Sequence, residues 1–205
     1  MATRLVIGLV GDIGSGKGTV ADYLESGYGF HKHIVSDFIR SEARKRKIKP
    51  NRKNLERLSE ELRQKFGIDY FIQKVIRKIE KDGDEKVAID GIRLASDVKL
   101  VKNYFKHGVK IMKNARGVFH SSNSPSTRVQ VIFVTAPARL RFDRMKHRGR
   151  PGDPKKWADF LELEKREEKE FHLKKVFAMA DYVIDASGSM MELYKKIDAL
   201  LKRLN

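Results

Sequence analysis

Nine residues, Gly11-Asp12-Ile13-Gly14-Ser15-Gly16-Lys17-Gly18-Thr19, carry the densest chemical signal in the chain. Glycines spaced ahead of a lysine let successive backbone N–H groups point into one concavity, which suits a row of phosphates. Leu5 to Val10 ahead of them reads as a buried parallel strand, and the residues from Lys17 read as a helix. The helix N-terminus then adds its partial positive charge, and Lys17 can reach the outer phosphates of a triphosphate such as ATP. A glycine-rich turn with a solvated lysine would need none of this context. A loop of this kind usually follows its lysine with a Ser or Thr that ligates Mg2+. Here Gly18 stands in that place and the hydroxyl comes one residue later, at Thr19. Metal would have to be held through water or by other residues.

Moving a phosphoryl group between nucleotides also requires an acceptor held in line and the charge on the transferring group neutralised. Three further segments carry acids and arginines suited to that task. Ser36-Asp37-Phe38-Ile39-Arg40 follows the second strand, with Asp37 at the strand end and Arg40 one turn into a helix. Ile89-Asp90-Gly91-Ile92-Arg93 follows the third strand, and an apolar strand ending in Asp fits an acid that orients Mg2+. Arg144, Arg148 and Arg150 lie where a helix gives way to a loop, with Arg144 and Arg148 four apart on one face, and Arg166 follows on the next helix. Read singly, Asp37 could be an N-cap and each arginine a solvated surface charge. Their coincidence with the cradle favours function.

The Gly-Lys-Gly-Thr at 16–19 resembles the P-loop of adenylate kinases and related nucleoside and deoxynucleoside monophosphate kinases, and Gly11 to Lys17 resembles that of dephospho-CoA kinases. Asp90-Gly91-Ile92-Arg93 is similar to the Asp-Gly-Phe-Pro-Arg segment of adenylate kinases, without its proline and with Ile92 for the phenylalanine. The acceptor base therefore does not carry over. By this resemblance Asp37 and Asp90 place Mg2+ through water, and Arg40 and Arg93 grip the acceptor phosphate. Arg52 and Arg63 fall where an acceptor subdomain is built, about 37–82. Arg144, Arg148, Arg150 and Arg166 belong to a short lid, about 144–170. Ala186 and Ser187 resemble the loop that sets backbone against the donor adenine. The fold implied is a P-loop NTPase three-layer sandwich in a single domain, residues 1–205, with a parallel sheet of about five strands and helices on both faces.

The elements that must position these residues show the same alternation. Strands are expected at Phe30 to Ser36, Lys86 to Asp90, Val129 to Thr135 and Tyr182 to Asp185, in addition to the first. Between them the apolar spacing predicts helices: one capped by Asn51 and stopped by Gly67, one from Asp69 to Lys81, one from Ala95 to His107 and one from Pro137 to His147. A long charged helix is expected from Lys155 to about Ala180, and a last helix capped by Ser189. Alternating strands and helices argue for a parallel sheet covered on both faces. Val109 to Arg128 fits least well; it has room for an extra strand and has no functional reading.

Composition narrows the partners. The 205 residues carry a formal charge of +17, with 44 Lys and Arg against 27 Asp and Glu. That excess points to anions, and nucleic acid, membrane surface and nucleotide phosphates all qualify. The basic run Arg40, Arg44, Lys45, Arg46, Lys47, Lys49, Arg52 and Lys53 has few interleaved aromatics and is broken by Pro50, so nucleic acid is possible and not favoured. The absence of cysteine excludes a disulfide scaffold, thiolate-held metal and a thiol nucleophile. No apolar run approaches a membrane span or signal segment, so a cytoplasmic protein is expected. Among six histidines only His31-x-His33 has ligand-like spacing; alternate strand residues share a face, but no third ligand is evident and the pair reads as strand or surface histidines. Trp157 reads as a packing anchor. Three functions follow: ATP-dependent transfer to a nucleoside or deoxynucleoside monophosphate, a dephospho-CoA kinase using Asp37 as base, or a nucleic-acid-binding P-loop protein.

Overall fold

The computed structural model describes residues 4–107 and 127–204. Its elements run β1 (Arg4–Val10), α1 (Lys17–Tyr28), β2 (His31–Ile34), α2 (Val35–Lys45), α3 (Arg52–Phe66), α4 (Tyr70–Asp82), β3 (Lys86–Asp90), α5 (Ala95–His107), β4 (Thr127–Thr135), α6 (Ala138–Arg148), α7 (Trp157–Phe171), α8 (Leu173–Phe177), β5 (Tyr182–Asp185) and α9 (Met190–Leu204). The strands form one five-stranded sheet in the order β2-β3-β1-β4-β5, and every neighbouring pair is parallel. The extra strand allowed for within Val109 to Arg128 falls almost wholly outside the described residues.

Period-two alternation explains why this sheet is covered twice. In β1, Val6 and Val10 enter one apolar cluster while Leu5, Ile7 and Leu9 enter another. β4 divides likewise, with Val129 and Val131 on the first face and Ile132 and Val134 on the second. The first cluster is completed by the buried stripes of α3, α4 and α5, among them Leu58, Leu62, Phe71, Ile72, Val75, Ile76, Ile79, Val98 and Val101. The second is completed by Val20, Ala21 and Leu24 of α1 and by Leu193, Ile197, Leu200, Leu201 and Leu204 of α9. Burying each such side chain contributes about 1.5–3 kcal/mol, so truncating a single one, as in Ile79→Ala, costs about 2–5 kcal/mol. A third, smaller cluster joins α6 to α7 through Phe142, Met145, Phe160 and Leu163, and Ile13 of the cradle packs on it. Trp157 anchors this cluster as expected, stacked on Phe160 with ring centroids 5.2 Å apart.

Helix ends follow local chemistry. The Asn51 side chain accepts from Asn54 N at 2.9 Å and opens α3. Ser189 and Glu192 form a reciprocal capping box at α9, with Ser189 N donating to Glu192 Oε2 at 2.7 Å and Glu192 N to Ser189 Oγ at 3.3 Å. Two expectations need correction. The second strand ends at Ile34 and α2 begins at Val35, so Asp37 occupies the first helical turn, not a strand end. The long helix expected from Lys155 to Ala180 is two helices, α7 and α8, separated by His172 in the left-handed conformation (φ 50°). No helix among the described residues is long and apolar enough to cross a membrane.

Candidate active site

The cradle leaves β1 at the carboxyl end of the central strand and enters α1 at Lys17. Its first two glycines are required by close approach. A Cβ on Gly11 would lie 2.2 Å from Val134 O, and one on Gly14 would lie 2.7 Å from Arg141 O, both at positive φ. The loop is thereby pressed between the end of β4 and α6. Lys17 Nζ donates to Gly11 O at 2.8 Å and Asp12 O at 2.7 Å, curling back over the loop. Burial holds its pKa down to about 8, with Arg93 pushing the same way and Asp90 opposing. Asp12, in the loop itself, is raised by burial, which outweighs the nearby Arg141. The Ser15 hydroxyl is fully buried within the cradle and has no hydrogen-bond partner among the described residues, a polar atom that could serve a ligand.

Asp90 ends β3 beside this loop. A Cβ built on Gly18 would lie 4.0 Å from Asp90 Oδ2, so the side chain missing after the lysine would have pointed at the acid. The space between Gly18 and Asp90 suits a hydrated cation, with Thr19 half-buried on the next position of α1. Burial raises the Asp90 carboxyl and Lys17 opposes the shift. A divalent ion there would favour its ionised form, so the residues fit Mg2+ held largely through water.

The expected arginines separate into distinct groups. Arg144 reaches the cradle: Nη1 donates to Ser15 O at 3.3 Å and Nη2 to Ala186 O at 2.6 Å, tying the loop to the residue that follows β5. Ser187 beside it closes a turn on Asp185, its N donating at 2.9 Å and its Oγ at 2.7 Å. Arg148 turns away and forms a two-pronged pair with Asp153, at 2.7 and 2.9 Å, which closes the loop before α7. Arg150 is exposed, and its backbone N donates to the same aspartate. Asp37 is exposed and pairs with Arg40 on its own helix at 3.2 Å, so neither reaches the cradle by a direct contact among the described residues.

A second group gathers around a residue the sequence reading passed over. Glu167 of α7 is only 4% exposed, and its Oε1 accepts from Arg52 Nη2 at 2.5 Å and Arg93 Nη1 at 3.2 Å. Arg52 also pairs with Glu56, as does Arg166. Arg93 lies over the ring of Phe171, 5.4 Å from its centroid. Arg63 stands over Phe71 and feels Asp97 and Arg93 electrostatically, and its buried Nε has no hydrogen-bond partner among the described residues. Asp97, buried at the start of α5, accepts from the backbone of Leu94 and Arg93, and desolvation pushes it up to about 7 against the pull of Arg63. Glu167 was legible: it falls on the buried stripe Phe160, Leu163, Glu167, Phe171, where a carboxylate demands a partner. Arg141 was also missed. Buried in α6, it donates to Ala136 O at 2.9 Å and Ile13 O at 3.3 Å and pairs with Glu164 of α7. Two clefts border these charges: one of about 810 Å3 lined by Arg52, Arg166 and Lys169, and one of about 330 Å3 lined by Asp12, Arg141, Glu164 and Glu167.

A parallel sheet of this strand order, with a phosphate cradle after its central strand and an acid ending the adjacent one, defines the P-loop kinase-like class of nucleotide-binding folds. Solved structures bear this out at the level of the fold: a shikimate kinase from Bacteroides thetaiotaomicron aligns with TM-score 0.60 at 13% identity over 98% of this chain and 99% of its own, and a deoxyadenosine kinase from M. mycoides with TM-score 0.53 at 14% identity over 97% and 99%. Within that class the chain belongs to the AAA-domain family, whose profile matches residues 10–160, and to the UPF0200 proteins. The UPF0200 protein of Hyperthermus butylicus is 32% identical over 99% of this chain and 96% of its own, and that of Thermococcus gammatolerans 30% identical over 98% and 95%.

Proposed function

We propose that the protein is an ATP-dependent phosphotransferase whose acceptor is the phosphate of a nucleoside or deoxynucleoside monophosphate. The observation that carries the reading is the pair Arg63 and Arg93. The two guanidinium groups interact electrostatically with each other and with Glu170, and Arg93 in turn acts on Lys17 of the cradle; among the described residues Arg63 Nε has no hydrogen-bond partner and Arg93 Nη1 donates to Glu167. Cations so placed await an anion, and the Glu167 carboxylate occupies the role an acceptor phosphate would take. A hydroxyl acceptor such as that of dephospho-CoA would need a base, and Asp37 is committed to Arg40 at the surface.

In this reading the cradle amides and Lys17 bind the β- and γ-phosphates of ATP. Arg144 spans Ser15 and Ala186 and so sets the donor's phosphate end against its base end. Arg93 and Arg63 align the acceptor phosphate, whose oxygen attacks the γ-phosphorus as ADP departs, and no side-chain nucleophile is needed. Mg2+, when bound, would neutralise charge on the bridging oxygens, with Asp90 and, through water, Thr19 as the residues to hold it. The segment about 37–82, made of α2, α3 and α4, would serve as acceptor subdomain and about 144–170 as lid. Arg52, Arg148 and Arg166 act in this scheme by fixing the lid and α3. The test is an ADP-release screen with ATP and Mg2+ against every ribo- and deoxyribonucleoside monophosphate and dephospho-CoA, with Lys17→Ala as the blank. Turnover with a monophosphate supports the reading. Silence across the panel, with nucleic-acid binding that weakens steeply with salt, overturns it.

A further inference from the structure

The His31-x-His33 pattern gains in the fold the ligands it lacked in the chain. β2 is an edge strand, and His31 and His33 point to the same side of it. Opposite them α4 ends at Asp82 and turns through Gly83 to Asp84, two residues before β3 starts. One ligand atom from each of His33, Asp82 and Asp84 lies within 4.8 Å of the others. His33 Nε2 is 2.7 Å from Asp84 Oδ2, and His31 Nδ1 is 3.3 Å from Asp84 Oδ1. The two imidazoles thus converge on one carboxylate, in the turn that precedes β3, while the cradle follows the carboxyl end of β1.

Burial makes this more than a surface charge cluster. The side chains of His33 and Asp84 are each 5% exposed, while His31, at 66%, leaves an open side. The Asp84 backbone is fixed, its carbonyl accepting from Arg4 Nε at 2.8 Å. Among the described residues the lysine paired with the cluster is Lys78, 2.6 Å from Asp82, and the side chains paired with Asp84 are the two imidazoles. A buried carboxylate requires a partner, and a divalent cation held by the same imidazoles would supply a fuller compensation than they do alone. Two imidazole nitrogens and two carboxylates form a ligand set suited to Zn2+ or a similar borderline ion, at bond lengths of about 2.0–2.2 Å.

We propose that His31, His33, Asp82 and Asp84 form a structural site for one divalent transition-metal ion, with Zn2+ as the best match, pinning the edge strand β2 to the α4–β3 turn. The ion would replace the His33–Asp84 hydrogen bond with two metal bonds. His31, being exposed, would swing in as the closing ligand.

The experiment is titration of chelator-treated protein with Zn2+ against a chromophoric competing chelator, alongside thermal melts. One equivalent per chain is expected, and at about a hundredfold excess over Kd the melting midpoint should rise by about 5 °C or more. His31→Ala and Asp82→Asn, whose side chains are exposed or partly so, should keep the native circular dichroism and each weaken Zn2+ at least tenfold. His147→Ala, remote in the chain, should bind as the parent does. Absence of a stoichiometric equivalent overturns the proposal, and so does an equivalent whose affinity survives both His31→Ala and Asp82→Asn. His33→Ala serves as a further check only if it folds.

Discussion

Lys17 is held by burial at a pKa of about 8, where an exposed lysine would titrate near 10.5. A triphosphate docking in the cradle places negative charge against the ammonium and raises that value, so binding selects the protonated form. The protonated fraction of the free protein is about 0.9 at pH 7 and about 0.09 at pH 9 for a group titrating at 8. ATP affinity should therefore fall about tenfold between pH 7 and pH 9, or about 1.4 kcal/mol. Binding at pH 8 should take up about half a proton per nucleotide. Isothermal calorimetry with a non-hydrolysable ATP analogue and Mg2+, in two buffers of different ionisation enthalpy, reads both quantities. Lys17→Met should bind weakly and with no slope between these pH values. A flat Kd for the parent protein, or the same slope in Lys17→Met, would show that the ammonium does not hold phosphate.

Three further outcomes follow from the geometry. Arg93→Ala should lower kcat/KM for the acceptor by about 100-fold to 1,000-fold while leaving ATP affinity within a fewfold, as read by steady-state ADP release; unaltered kinetics on every acceptor would remove Arg93 from the site. Asp97 has its folded pKa raised to about 7 from 3.8, so its contribution to stability is greatest at low pH and declines as pH rises from about 4 through 7. Asp97→Asn should abolish that decline and melt at least about 2 °C higher than the parent at pH 8, which pH-dependent thermal melts will check. Gly11→Ala forces a Cβ against Val134 O at 2.2 Å and should cost about 1–3 kcal/mol together with nucleotide binding, measured by urea unfolding and by calorimetry.

Local signals made most of the framework legible. Lys86 to Asp90 and Ala95 to His107 match β3 and α5 end to end, because each carries one unbroken period of apolar residues. The break at His172 has neither glycine nor proline to mark it. It is written instead in the spacing, since Phe171 and Leu173 are both buried two residues apart, which one helical face cannot do. The cradle and Asp90 were legible from residue types in a strand–turn–helix context. Glu167 carried a local signal in its buried stripe, but its partners, like those of Arg141 and Asp97, lie on other elements, so their roles are long-range. The Asp82 and Asp84 neighbours of His33 lie about fifty positions along the chain, and only pairing of β2 with β3 brings them together.

Under the proposed phosphotransferase reading, the bridging carboxylate on α7 would make acceptor binding an exchange and not an addition. In that reading a phosphate that takes Arg93 competes with Glu167 for the guanidinium, so acceptor affinity would be reduced by the ion pair it displaces. Glu164 lies one turn earlier on the same helix and holds Arg141, which in turn holds Ile13 O in the cradle. One helix therefore carries carboxylates that touch both Arg93 and, through Arg141, the cradle. In the proposed reading a single helix would link the two sites, and by reciprocity ATP would alter acceptor affinity by the same factor that the acceptor alters that for ATP.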